Sequence, residues 1–375
     1  MTEDWSNQLR GRGTWMAAGI SAQLSLAIIL SSASVTAQII PDNTLGTEAS
    51  RVTDSVDFER IDGGAARGIN LFHSFQEFNV LEEQQVYFAN PTGIENILSR
   101  VTGANGSDIF GTLGVLGNAN LFLINPNGIV FGPNAQLDVA GSFVGSTASG
   151  LDFPDGSNFS ATNPEAPPLL TVNLTPGLQR GTQPLAEISN AGNLEVGIGQ
   201  TLALHGGDVT STGSLTASGG TVMVLGDRIG LLDNAQIDVS SETGGGTVLV
   251  GGGFQGKGAV PNATRTFVDT DVQIKADALT TGDGGTVIVW ADEVTGFYGN
   301  ISARGGTEAG NGGFVEVSGK ENLIFRGNVN TSAINGDVGT LLLDPINITI
   351  ANGTGDSAFA GQILAGDTAP TTTIY

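Results

Sequence analysis

The chain has no cysteine. Disulfides, thiolate metal sites and cysteine nucleophiles are therefore excluded. A lack of thiols also suits a chain that stays unfolded while it crosses an oxidising compartment. Charge is scarce as well. Asp, Glu, Lys and Arg make up 14% of the residues, where about 25% is ordinary. Positive charge is scarcest, with 14 Lys and Arg against 37 Asp and Glu, for a net charge of −23. The lysines are Lys257, Lys275 and Lys320. Such a chain repels phosphate backbones, which argues against a nucleic-acid partner. The acidity reads first as solubility, with weak divalent-cation binding at the surface as the sharper alternative. The two histidines, His73 and His205, are far from any ligand spacing. No zinc or other metal site is expected, and no cofactor is implied. After Leu30 no apolar run is long enough to cross a membrane as a helix.

Glycine is plentiful, with 57 among 375 residues. A hydrophobic fraction of 39% is too high for a disordered polar chain. Glycine with many β-branched residues fits short strands joined by tight turns, and a helical protein would need more Ala, Leu, Glu and Lys.

The start of the chain is ordered like a Sec signal peptide. Arg10 and Arg12 precede a mostly apolar stretch from Trp15 to Leu30, and Val35-Thr36-Ala37 stands before Gln38. Residues 1–37 are expected to be that signal. Ser21, Gln23 and Ser25 interrupt the apolar stretch, which makes an uncleaved anchor the weaker alternative.

From Ile69 the pattern turns to β. At Asn125-Pro126-Asn127-Gly128-Ile129 the physics is local. Asn125 accepts from the backbone at turn position i, and Pro126 presets φ. Asn127 tolerates the bridge region, and Gly128 takes a positive φ without strain. LFLI before and IVF after are then two strands hinged at a preset turn. Residues 152–185, rich in Pro, Asn and Ser, read as a loop or excursion.

The second half repeats itself. Paired glycines or a near equivalent precede apolar runs at Gly219-Gly220, Gly245-Gly246, Gly284-Gly285, Gly312-Gly313 and Val338-Gly339. The second glycines, at 220, 246, 285, 313 and 339, are spaced by 26, 39, 28 and 26 residues. Shorter strands lie between, so one unit is a turn of a parallel β-helix. The longest spacing predicts an inserted loop around Phe254 to Phe267. At about 26 residues per coil, some 300 residues give roughly 11–12 coils. Asn190, Asn193, Asn300, Asn328, Asn330 and Asn335 are either stacked amide ladders or simple turn residues.

Enzymatic chemistry is thinly represented. His73 in LFHSF reads as a half-buried strand residue and His205 as a corner residue. Asp269 and Asp271 lie two apart, as on one strand face, with Asp292-Glu293 and Asp227 elsewhere. A glycosidase needs two carboxylates about 5–9 Å apart in a groove. These acids read as solvated strand ends, and Asp283-Gly284-Gly285 occurs once only, too little for a calcium repeat. No catalytic residue is assigned. A β-helical polysaccharide-active lyase or hydrolase is the alternative from another class, and a matrix protein without a receptor is a third.

Several long stretches carry a resemblance. DGGAARGINLFHSFQEFNV, VYFANPTGIENILSRVTG, NANLFLINPNGIVFGPNAQLDVAGSFVGSTA and GTLLLDPINITI occur in order. In these the chain resembles the filamentous haemagglutinin N-terminal family, the two-partner-secretion domain, in its cyanobacterial form. The likeness covers nearly the whole chain after the signal and is strongest from Ile61 to Ala148. Of the family's two short motifs, NPNGI is intact at Asn125, Pro126, Asn127, Gly128 and Ile129. The first, NPNL, is altered to Asn118-Ala119-Asn120-Leu121, with Ala for the usual Pro.

The resemblance implies an all-β fold, a right-handed single-stranded parallel β-helix with an N-terminal cap and β-hairpin excursions. It also implies a secreted or cell-surface exoprotein, exported by Sec and then through an outer-membrane transporter with periplasmic docking domains. Asn118, Asn120, Leu121 and Asn125 to Ile129 would be recognised by that transporter or serve as a structural turn. An adhesin-like role, with a cell-surface glycan or protein receptor, follows from the family. The expected division is residues 1–37 signal, 38–175 secretion-domain core and 176–375 continuing coils, with the tail Asp367 to Tyr375 showing no evident cap.

Overall fold

In the computed structural model, residues 39–153, 156–165 and 185–344 are described, with short strands at 349–350 and 373–374. The signal-peptide reading, most of the excursion between 166 and 184, and most of the tail lie outside the described residues.

The chain winds through three long sheets of 12, 11 and 8 strands. One coil illustrates the path. Asn120–Ile124 lies in the first sheet, Ile129–Phe131 in the third and Gln136–Asp138 in the second, before Phe143–Ser146 returns to the first. Each strand pairs in parallel with its counterparts one coil before and after. This is a parallel β-helix, and the eight strands of the third sheet mark eight complete three-sided coils among the described residues. The repeat spacing overstates the count because two excursions and long corners consume residues without adding coils.

Alternation explains the core. On the first sheet Val222, Val248, Val287 and Val315 stack in register, as do Val224, Val250, Val289 and Val317. All eight are fully buried. β-Branched side chains suit such columns, and each buried valine contributes roughly 1.5–3 kcal/mol relative to exposure.

The paired glycines have a steric cause. A Cβ on Gly246 would lie 2.2 Å from the carbonyl oxygen of Gly220, and one on Gly285 2.1 Å from that of Gly246. The column continues, with Gly313 at 2.1 Å from Gly285 and Gly339 at 2.0 Å from Gly313. Successive coils touch backbone to backbone here, and no side chain fits. Gly285→Ala is expected to cost about 1–3 kcal/mol through this overpacking, read as a lower urea midpoint. An unchanged midpoint would show that the corner can relax.

Sheet edges invite unwanted pairing, and the N-terminal edge is closed by antiparallel strands. Ile39–Pro41 and Ala65–Arg67 pair with Asn70–Phe78, and Ser50–Asp54 pairs with Glu59–Gly63. The first excursion begins as a hairpin, Gly150–Asp152 with Asn158–Ser160. Its Leu151, Phe153 and Phe159, with Leu45 of the cap, cover the outer face of the first sheet over Phe72, Leu98, Phe122 and Val144. The second insertion ends earlier than its spacing predicts. Phe267 belongs to the strand Arg265–Val268 of the third sheet, and the loop proper occupies residues 251–264.

Candidate functional site

The NPNGI turn forms as its chemistry dictates. Asn125 Oδ1 accepts the Asn127 N–H at 3.0 Å, and the Gly128 N–H donates to the Asn125 carbonyl at 3.2 Å. Gly128 has φ +118°. The fully buried Asn125 side chain also ties two coils together, since its Nδ2 donates to the Asn105 carbonyl and to Ser107 Oγ, both at 3.0 Å. Asn127 Nδ2 donates to the Gly103 carbonyl at 2.8 Å. Leu121 and Ile129 face the core and are fully buried. Pro126 is half-buried and Asn127 exposed.

The altered NANL motif is held by a turn residue of the preceding coil. Asn90 Oδ1 accepts the N–H groups of Asn118 and Ala119, at 3.1 and 3.2 Å. A proline at 119 would lack the second donor, so alanine adds a bond here. Asn120 ends an amide ladder. Its Nδ2 donates to Asn96 Oδ1 at 2.8 Å, and Asn96 Nδ2 donates to Asn70 Oδ1 at 2.9 Å. The ladder thus stands mainly on residues not foreseen for it. Of those that were, Asn328 donates to Asn300 at 3.1 Å. Asn190 and Asn193 instead meet Ser211 and Ser214, and Asn335 meets the Thr307 carbonyl. Asn118 is exposed, and only its backbone is engaged among the described residues.

The strongest polar cluster lies on the outer face of the first sheet. Arg100 is 1% exposed. Its guanidinium donates to Ser74 Oγ at 2.9 Å, Thr44 Oγ1 at 2.9 Å, the Ser160 carbonyl at 2.7 Å and the Glu165 carbonyl at 2.8 Å. It also stands 4.1 Å from the centroid of Phe159. Burial pushes Arg100 down to about 10, against the pull of the Asp42 charge. For Asp42 burial acts to raise the pKa, but hydrogen bonds from Thr102, Thr44 and Ser74 outweigh it and hold the carboxyl below its ordinary value. Cap, sheet and hairpin are thereby pinned at one point. Nothing in NILSRV marks this arginine, because an outward strand position normally faces water.

The other candidates sit differently from expectation. His73 is not half-buried. It points inward, fully buried, against Phe75 and Phe88, with Nδ1 3.0 Å from Ser50 Oγ. His205 is a buried strand end, its Nδ1 3.2 Å from Ser146 Oγ. Asp269 and Asp271 share no strand face. They lie in the turn between Arg265–Val268 and Gln273–Lys275, with Asp269 buried and Asp271 exposed. Asp292 accepts from Trp290 Nε1 at 3.1 Å, and Glu293 pairs with Arg265 at 3.1 Å. The Asp227 carbonyl accepts the Thr264 and Arg265 N–H groups, at 2.7 and 3.3 Å.

Two further acids matter more. Asp277, nearly buried, accepts from Ser302 Oγ, from the Arg304 N–H and from both guanidinium nitrogens of Arg304 that reach it. Burial acts to raise its pKa, yet these bonds bring it below the ordinary value, the opposite of a general acid's need. Glu316 is raised by burial but lies fully buried beside the 251–264 loop, accepting the Gln255 N–H. Among the described residues no group of His, Asp and Glu could hold a metal ion.

Residues 37–287 match the model of the TPS secretion domain. The chain belongs to that family. This TPS chain is a two-partner-secretion exoprotein, secreted through the outer membrane as the family is, and the matched family is a secretion domain rather than an enzyme. A stretch of 69 residues is 35% identical to the Heme/hemopexin-binding protein of Haemophilus influenzae. That stretch is 18% of the TPS chain and only 7% of the length of that relative. Among solved structures, the HMW1 secretion domain from Haemophilus influenzae is similar over 79% of the TPS chain and 97% of its own, with 21% identity and a TM-score of 0.34. The filamentous hemagglutinin secretion domain is similar over 80% and 99%, with 17% identity and a TM-score of 0.30.

Proposed function

We propose that the chain is exported by Sec under a signal at residues 1–37. A cognate outer-membrane transporter then recognises it in the periplasm by the segment Asn118 to Ile129. Residues 38–175 act as the core of the export module, and residues 176–375 extend it as further coils. The observation that carries the reading is the TPS match over residues 37–287, with an intact NPNGI turn inside it. Strand addition is the natural mode of recognition, because an unfolded segment offers unspent backbone donors and acceptors to a receptor edge. Outside the cell, coil stacking disfavours return. An adhesin-like surface role, with a glycan or protein receptor, belongs to the same reading through the family.

Recognition and turn structure separate by side chain. Asn125 is a structural member, whereas Asn118 and Pro126 are exposed or half-exposed. The double variant Asn118→Ala, Pro126→Ala is expected to keep its thermal midpoint within a few degrees and to lower the amount in the medium several-fold. Asn125→Ala is expected to lower the midpoint, since it orphans buried partners at about 1–3 kcal/mol. Unchanged secretion of the double variant would remove the recognition role and leave the turn purely structural.

A further inference from the structure

The second sheet differs from the first in what its outer face carries. In five successive coils its outward positions are Ser214 and Thr216, Gln236 and Asp238, Gln273 and Lys275, Asn300 and Ser302, Asn328 and Asn330. Every one is a hydrogen-bonding residue, while Leu215, Ile237, Ile274 and Ile301 between them are buried. A solvated face alone would be polar and flat. This one is a trough of about 750 Å³.

The trough has a built wall. Up to residue 220 the corner from the second sheet back to the first is short, at 217–220. Beyond it the corners lengthen to 239–246, 276–285, 303–313 and 331–339. They pair with one another through Ser241 and Ala278 and through Thr281 and Ala309. Asp277 locks them at the base of the wall. Its carboxylate receives Arg304 at 2.7 Å and Ser302 at 2.6 Å, and its N–H donates to Ser240 Oγ at 3.1 Å. Leu279 and Arg304 stand on the wall and remain substantially exposed. Against that rim the floor keeps unspent groups. Gln273 and Lys275 make no side-chain hydrogen bond or ion pair among the described residues.

The occupant follows from what the trough excludes. Of its floor strands only the end one, Asn328–Asn330, has a side unpaired among the described residues, so no peptide can add as a strand along the length of the trough. Its apolar lining is broken, with Leu279 on the wall and Ile301 and Val329 in the floor, and gives no continuous strip for an amphipathic helix. The net charge of −23 disfavours polyanions. What remains is an uncharged polymer read through many hydrogen bonds from amides, hydroxyls, the Asp238 carboxylate and one ammonium. The array repeats every coil, at about 4.8 Å, over roughly 20 Å.

We propose that this trough binds an extended, uncharged polysaccharide along the helix axis. The inference deepens the glycan-receptor part of the proposed function and does not rest on its export part, since it concerns the folded chain. It is a binding site without hydrolysis, because the best-placed carboxylate is saturated by Arg304.

The secreted chain is run through native gels containing dextran, xylan or hydroxyethylcellulose, with polygalacturonate as the charged comparator. Retardation by at least one neutral polymer is expected. The double variant Gln273→Ala, Lys275→Ala is expected to weaken it about tenfold or more, from two lost hydrogen bonds, with the thermal midpoint unchanged. Thr112→Ala, on the same sheet but outside the trough, is expected to bind as the parent does. Failure of all three neutral polymers would overturn the proposal. So would retardation by polygalacturonate alone, or retardation that the double variant leaves intact.

Discussion

Replacing Arg100 with alanine is expected to destabilise the folded chain by about 3–5 kcal/mol, the range for breaking a buried charged network. The guanidinium joins Thr44 of the cap, Ser74 of the first sheet and the carbonyls of Ser160 and Glu165 beyond the hairpin. Alanine removes four charge-assisted bonds, leaves the Ser160 and Glu165 carbonyls without this donor and uncovers Phe159. Lysine is not expected to rescue, because a single ammonium cannot reproduce the planar fork. The measurement is a urea titration of the secreted chain, with limited proteolysis beside it. Proteolytic cuts should appear first in residues 150–165, which lose their anchor. A loss below about 1 kcal/mol, or first cuts elsewhere, would show that Leu151, Phe153 and Phe159 hold the hairpin without the arginine.

A second large effect is expected on acidification. His73 is lowered to about 3 from an ordinary 6.5, chiefly by burial, with the Asp62 charge pulling the other way. Between those values the unfolded chain binds a proton that the folded chain does not. Stability is therefore complete above about pH 6.5 and falls as the pH drops toward 3, with a slope of about 1.4 kcal/mol per pH unit. Asp42 and Asp277 are held below their ordinary 3.8. Their contribution is present above that value and is lost only at lower pH, while Glu316, raised by burial, acts in the opposite sense above its ordinary 4.5, so comparison with a variant lacking His73 isolates the histidine. Urea midpoints of the parent and of His73→Leu, taken from about pH 7 to 5, should diverge in slope. Equal slopes would mean that His73 takes up its proton in the folded chain.

Much of the fold is legible in the sequence because it is written in local periodicity. The recurring glycine pairs mark the corners, since only a residue without Cβ allows one coil's backbone to lie on the carbonyl of the next. The apolar runs after them alternate inward and outward, which is why Val222 and Val224 fall into two columns. NPNGI specifies its own turn through short-range hydrogen bonds and a preset φ. The coil count was less legible, because an excursion and a coil consume residues alike. The histidines misled for a similar reason. Their exposure depends on strand direction and on what covers the strand, and neither is local.

The amino-acid sequence by itself determined the repeating coil, the turn at Asn125 to Gly128 and the scarcity of catalytic groups. Each depends on neighbours within a few residues. Only the tertiary structure decided that the hairpin at 150–160 lies over the first sheet, that Arg100 is its anchor, and that long corners wall in a polar trough on the second sheet. Those features join residues 25 to 65 positions apart. Stacking brings such residues together one coil apart, at distances of a hydrogen bond, and no periodicity in the chain announces which of them will meet.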